Sequence, residues 1–554
     1  MTRRGRAVAV LVLLAGWAGL ACGVEPLTSA FEAELARAKS LRLEGYPEIY
    51  YLGLTVSDTT LFDQRCSLGG VLNETRYAHR ILTPSLRVGS YELDNHPVSG
   101  GPAHWGRMIA RSDDEFALRH ALWRVMDEFY KDASAALLRK QALRVTRGKA
   151  EYDTDDLTRE EPRVQRGVPS ARQGAEGLLD SLCRRTSAVF REVPDLLYSE
   201  SQATWQRQWS RLLDTEGRRV EFGRDIAEIE FAAVAITSDG MKLSGRRHFM
   251  APEPGALPGP EELEAEARGL LRELAELKVA RTTSPLSTPA LVDPSVAAAL
   301  VWSLSGRLSG EEMRNPSGTQ IFREKLGTRV LPEDLSLADD PTAESFGGRA
   351  LAGHYLLDDQ GIPARRVALI EGGVLKGYLL SRYPVIGFRR SNGHGRAAPG
   401  YEPVGFPGNL FLTSARSSSA GELLHKLARE TSRRGKPYGL WVRRLRSFTQ
   451  RQSAGGQDSI RLTGLVYQVD PRTLKATLLR DLDVVGTPLV LMSQILAAGR
   501  DAEAANMLMS GIPVSVVAPS LLVADLELQR SETKPEKLPI LPAPGVSGAG
   551  VPPP

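Results

Sequence analysis

The densest run of chemically capable side chains in this 554-residue sequence is Ser391-Asn392-Gly393-His394-Gly395-Arg396. Glycine at alternate positions lets a backbone come close to whatever it faces. Asn392 and His394 can hydrogen-bond a peptide backbone, and the planar fork of Arg396 can clamp a carboxylate. Arg382, just before Tyr383-Pro384, adds positive charge upstream. These types and this spacing point to a loop that lines a cleft and holds an extended peptide, with Ser391, Asn392, His394, Arg396 and Arg382 as the contact residues. The competing reading is a structural turn in which His394 bonds a local carbonyl. Ser391 as a nucleophile with His394 as its base lacks an orienting acid that the sequence can assign. Asp358-Asp359 and Asp339-Asp340 offer oxygens to a cation, although Asp more often stabilises turns by bonding the backbone. No two of the eight histidines stand three or four residues apart, the spacing at which one helix face presents two imidazoles to a metal.

Turns and strands must position that loop. Leu357–Pro363 is turn-rich, and Val367–Ile370 with Val374–Leu379 flank Glu371-Gly372-Gly373, the pattern of a β-hairpin. Upstream, alternation begins at Glu48, with further strand-like runs at Gly70–Arg76 and Ile81–Leu93. Ser112 and Glu115 form a capping-box pattern ahead of an apolar stripe at Leu118, Leu122, Met126, Phe129, Ala133 and Leu137. Residues 26–44 read as a polar, helix-prone lead-in, residues 146–170 as a solvated loop or arm, and Gly177–Val193 as a helix. Hairpins are predicted at 205–213 with 218–222 and at 227–237 with 241–249. Four prolines and two glycines in Pro252–Pro260 mark a linker. A helix over 261–278 is expected to open the second domain, and further on the pattern predicts a helix at Glu422–Arg433. Strands follow, then a last helix from Thr487 to a stop at Gly499. The fold class is α+β in two domains: residues 22–251, mixed with antiparallel hairpins, and residues 261–529, rich in strand, separated by the linker 252–260. Residues 530–554 are rich in Pro and Gly and predict a disordered tail.

Arg3, Arg4 and Arg6 precede the apolar run Ala7–Leu20, which ends at Ala21-Cys22. This is the pattern of a secretory signal over residues 1–21, too short to span a bilayer comfortably. A cysteine directly after Ala21 predicts a lipoprotein lipidated at Cys22, hence an exported, periplasmic or membrane-anchored protein; plain export is the alternative. The formal charge of +4 falls to about +1 without those three arginines, and no basic stripe marks a nucleic-acid partner. Beyond Cys22 only Cys66 and Cys183 remain. They could pair in an oxidising compartment or stay as two buried thiols; two cysteines do not make a disulfide scaffold.

The run from Asp358 through Gly361, Pro363, Ala364, Leu369-Ile370-Glu371 and Gly373-Val374-Leu375-Lys376-Gly377-Tyr378-Leu379, followed by the His394-Gly395-Arg396 loop, resembles the C-terminal domain of the TldD/PmbA family. A weaker likeness extends from about Tyr46 to Leu528, with Leu86–Asn95 as its N-terminal counterpart. The resemblance implies a two-domain fold and a relation to zinc metallopeptidase subunits and their zinc-free partners. The family's catalytic subunits carry His-Glu-x-x-x-His on a helix and a cysteine near the C-terminus. Aligned on Leu308 and Gly310, this sequence has Val301, Trp302 and Gly306 where His, Glu and His would stand, and no cysteine beyond Cys183. The resemblance therefore implies a member without zinc or other cofactor: a non-catalytic subunit or peptide-binding scaffold, paired with a TldD-like homologue or with itself. The alternative is a hydrolase using other groups in the same cleft.

Overall fold

The computed structural model describes residues 26–41, 43–96, 106–147, 154–167, 175–314, 322–452 and 458–530. The expected signal segment, Cys22 and the tail beyond Arg530 lie outside the described residues.

The first half is built on one seven-stranded sheet. In chain order it contains α1 (Pro26–Ser40), β1 (Ile49–Ser67), β2 (Gly70–Val88), β3 (Arg107–Ile109), α2 (Glu115–Arg147), β4 (Val164–Gln165), α3 (Ala175–Ala188), β5 (Tyr198–Asp214), β6 (Arg219–Ile236), β7 (Lys242–Ala251) and α4 (Pro260–Val279). The strand order is β3-β2-β1-β5-β6-β4, with β7 also pairing β6. The two runs expected as separate strands, 70–76 and 81–93, are one strand. β1 and β2 form a continuous hairpin that reverses at Leu68-Gly69, both at positive φ. Likewise 218–222 and 227–237 are a single strand, β6, paired on one side with β5 along almost its whole length. Alternation hid this length because the shorter runs were bounded by Gly and charged residues that a twisted, half-exposed strand tolerates.

Four further expectations are corrected. α1 is no loose lead-in: Leu27, Ala30, Phe31 and Leu35 are buried in a core with Leu118, Leu122 and Met126 of α2. The cap of α2 is Asp114, whose Oδ1 accepts from the N–H groups of Phe116 and Ala117, and the helix runs on to Arg147. Within 154–167, predicted as a solvated arm, Asp156 is fully buried between Lys140 (2.5 Å) and Arg314 (2.6 Å). The helix that follows the Pro/Gly stretch, α4, packs Leu263, Ala267, Leu270 and Leu274 into the core of the first sheet beside Phe231 and Leu243. Composition alone shows where the chain bends, not which core the next helix joins.

The second half holds two sheets around one helix. The strands 335–339, 367–371, 374–375, 409–414, 503–509 and 512–518 form a six-stranded sheet. A second path runs from β8 (Leu286–Val292) through 439–452, 458–469, 482–486 and 521–530, and closes on itself because 521–530 pairs back to β8. Helix α5 (Pro294–Ser305), apolar all round as a fully enclosed helix must be, is buried in the core these sheets share. The hairpin at Gly372-Gly373 forms as expected, Glu371 opposite Val374, with both glycines at positive φ. The expected last helix stops early: Pro488–Ser493 is helical, but Ile495–Gly499 is a strand that pairs with 521–523.

Candidate functional site

The loop that carries the sequence's strongest chemical signal lies inside the protein. Ser391, His394, Arg396 and Arg382 are buried and Asn392 is half-buried. The Ser391 hydroxyl donates to the Leu380 carbonyl (3.1 Å). Asn392 closes a two-way bridge to the neighbouring chain, giving Nδ2–H to the Tyr378 carbonyl and accepting from the Leu380 N–H. The His394 imidazole, with no exposed surface, spans from the Asn392 side chain (3.0 Å) to Asp339 Oδ1 (3.1 Å). Arg396 donates through Nη1 to the carbonyls of Pro407 (2.7 Å) and Pro513 (2.9 Å), and its guanidinium lies 4.7 Å from the Tyr355 ring centre. Burial, with Arg224 nearby, pushes it down to about 10. Arg382 donates to Glu216 and to the Thr158 carbonyl and lies over the Tyr51 ring.

The glycines of the loop do mark a close approach, but to the protein itself. A Cβ on Gly393, at φ +79°, would stand 2.1 Å from the Pro363 carbonyl oxygen, and one on Gly395 would stand 2.2 Å from Gln360 Oε1. The acidic pairs are turn acids. Asp358 accepts from the N–H groups of Gln360, Ile362 and Gly395. Burial pushes its carboxyl up to about 7, against those three donors, which favour the charged form. Asp359 accepts from Arg224 (2.9 Å) and the Ala397 N–H (2.8 Å). Asp339 takes His394 and the Gly408 N–H, and Asp340 takes Thr342. Among the described residues no three His, Cys, Asp or Glu side chains converge as a metal site.

An accessible concavity lies one step further along the chain. A cleft of about 650 Å³, open solvent included, separates the first sheet from the segment that continues out of the buried loop, Ala397–Pro403. Its floor is a row of small polar residues on three adjacent strands. Ser57 of β1 stands opposite Ser210 of β5, their hydroxyl oxygens 2.9 Å apart, and Gly53 of β1 stands opposite Ser85 of β2. Gln208 donates to Ser210 (2.9 Å). The far wall is fastened to the sheet by backbone: Gly106 N–H to Gly400 O (2.8 Å) and Gly400 N–H to Thr83 Oγ1 (3.1 Å). The two acids of the lining are held in ion pairs, Asp359 with Arg224 and Glu402 with Arg87 and Tyr383. No histidine is among the lining residues, so the cleft offers hydrogen-bond donors and acceptors on a firm floor rather than a general base. Sequence reading missed these groups. The signal was there in Gly53, Thr55 and Ser57, small or polar at every second position between the apolar Leu52, Leu54 and Val56.

On α5, Val301 is fully buried, and Trp302 packs edge-on against Phe406 with ring centres 5.7 Å apart. Gly306 begins the short turn that ends the helix. These three positions present no side-chain donor to a metal, so the residues do not fit zinc.

Residues 285–530 match the PmbA/TldA metallopeptidase C-terminal domain. The chain is 26% identical over 210 residues to a metalloprotease of Methanothermobacter thermautotrophicus, and 28% identical over 213 residues to a metalloprotease of Synechocystis. These alignments cover 37% and 36% of the chain and 43% and 42% of the relatives, so the chain spans about two fifths of the length of the curated relatives it matches. In fold it is similar to TldE from Thermococcus kodakarensis (TM-score 0.62, 13% identity) and to a candidate modulator of a DNA gyrase from Thermotoga maritima (0.62, 16%). Each likeness covers 90% of this chain and 99% of the other. Residues 285–530 thus belong with the PmbA/TldD C-terminal domains, and the chain as a whole has the fold of these solved neighbours.

Proposed function

We propose that this chain is an exported, zinc-free member of the family that binds an extended peptide in the cleft between its first sheet and Ala397–Pro403, and does not cleave it by metal chemistry. The observation that carries the reading is α5, where Val301, Trp302 and Gly306 offer no ligand and Val301 is closed in by core. The cleft supports the binding half: the half-buried Thr55 and Ser85 offer hydroxyls without bulk, over a floor of Ser57, Ser210 and Gln208 bonded to one another. The partner in this reading is a TldD-like homologue that carries the metal, or a second copy of the chain. Lipidation at Cys22, four residues before α1, would tether the first half to a membrane, and stable tethering needs more than one acyl chain.

The test is direct. The purified mature chain should hold far less than one zinc per molecule and should leave unstructured peptides uncut when alone. Stoichiometric, chelator-resistant zinc would overturn the reading, as would cleavage by the chain alone. For the anchor, Cys22→Ala should move the protein from the membrane to the soluble fraction; an unmodified N-terminus on soluble native protein would leave plain export.

A further inference from the structure

We propose that Cys66 and Cys183 form a redox pair that closes a disulfide between β1 and α3. The strand and the helix bring them together. Phe62, Gln64 and Cys66 alternate along β1 and are all buried, and Phe62 and Cys66 share one core with Leu179, Leu182 and Cys183 of α3. Gln64 reaches up to α3 and donates to Asp180 (2.7 Å), one helical turn before Cys183. From above, the Cys183 thiol donates to the carbonyls of Ser201 (3.3 Å) and Gln64 (3.5 Å). Ser201 is the cross-strand partner of Cys66, so the Cys183 sulfur stands over the rung of the ladder that holds Cys66. The Gln64 amide also donates to the Cys66 sulfur (3.4 Å). One glutamine thus ties the strand cysteine and the helix into a single cluster.

The chemistry of the two thiols is unequal. The neighbouring Cys183 thiol brings Cys66 down to about 7, against its burial, and the Gln64 amide lowers it further; contact with Cys66 and burial push Cys183 up. The Gln64 amide donates to the Cys66 sulfur while the Cys183 thiol keeps its proton on carbonyl oxygens, so Cys66 is the attacking sulfur, the thiolate being the nucleophile. With a small-molecule disulfide as oxidant, the Cys66 thiolate attacks one of its sulfurs and expels one thiolate, leaving a mixed disulfide on Cys66. The expelled thiolate takes the Cys183 proton, and the Cys183 sulfur then attacks the Cys66 sulfur and releases the second thiolate. Two protein thiols are oxidised and one external disulfide is reduced to two thiols. Neither cysteine has exposed surface, so exchange in the folded protein waits on local opening. The pairing stands independently of where the chain resides and of what the cleft binds.

The experiment uses the purified mature chain, equilibrated with oxidised glutathione or with dithiothreitol, then unfolded, alkylated and digested with trypsin. Oxidised protein should yield one linked pair of peptides, that holding Cys66 joined to that holding Cys183. The loop that the link closes spans more than a hundred residues, and the melting temperature of the oxidised form should rise by about 5 °C. Cys66→Ser and Cys183→Ser should each abolish that rise. Two alkylated thiols after oxidation, or linkage of either to Cys22, overturns the proposal. The peptide map of the unaltered chain decides the matter even where a serine variant folds poorly.

Discussion

Two neighbouring segments of this molecule divide a role that the sequence assigns to one. Ser391–Arg396 has the polar, glycine-spaced composition of a ligand loop, yet its side chains are spent on the protein's own carbonyls and on Asp339. Ala397–Pro403, plainer in composition, forms the wall of an accessible cleft. The difference teaches that glycine spacing reports a close approach without naming what approaches. At Gly393 and Gly395 the neighbours are Pro363 and Gln360 of the adjacent turn, so the loop is a brace and the segment that continues from it forms the wall of the cleft.

The comparison breaks if the loop can be damaged without loss of stability. His394→Ala should have the largest effect, because it removes the imidazole from the buried Asp339 carboxylate. The loss should be about 2 kcal/mol, the scale of leaving a buried hydrogen-bonding group without its partner, read from urea unfolding. Arg396→Lys should also destabilise, since an ammonium cannot stack a planar face on Tyr355 while holding the Pro407 and Pro513 carbonyls. Unchanged unfolding with lost peptide binding in either variant would return the loop to the role its composition suggests.

A smaller effect sharpens the electrostatic side of the brace. The folded Asp358 carboxyl is pushed up to about 7, whereas an unfolded chain ionises it near the ordinary carboxylate value of 3.8. Between those values the unfolded state has released a proton that the folded state keeps. Stability contributed by this group is therefore full at low pH, declines as pH rises and is lost above about 7. Chemical unfolding at pH 4 and at pH 7 should show a decline in the parent chain that Asp358→Asn lacks. Parallel pH dependences in the two proteins would mean that Asp358 ionises normally.

How much of this was legible in the sequence follows from what each signal depends on. The Gly372-Gly373 hairpin and the helix expected at Glu422–Arg433 depend on local patterns, and the structure has both, the helix beginning two residues earlier at Ala420 behind a Ser419 cap. The assignment of α4 to the first core, the burial of Asp156 and the full length of β1 and β2 depend on which surfaces meet, which composition does not encode residue by residue. The cleft was illegible for the same reason. Ser57 and Ser210 are far apart in the chain and become a pair only through the register of β1 with β5. Even the buried arginines follow this rule: Arg382 reads as a cleft charge until Tyr51 of β1, the turn at Glu216 and Thr158 close over it.

The least disruptive variant addresses the cleft. Ser85→Trp, on the floor between β1 and the 397–403 wall, should weaken peptide binding at least tenfold, about 1.4 kcal/mol, while leaving the unfolding midpoint close to that of the parent. A variant that melts early instead would mark Ser85 as packing rather than contact.

The proposed peptide site lies between the first sheet and Ala397–Pro403, not at α5 or within the buried loop. Hydrogen–deuterium exchange of the intact chain, with and without a saturating pool of unstructured peptides, tests it most directly. Protection should rise in the segments that contain Thr55, Ser85 and Ala397–Pro403, with Pro294–Ser305 unchanged. Protection centred on Pro294–Ser305, or no change in any segment, would contradict it.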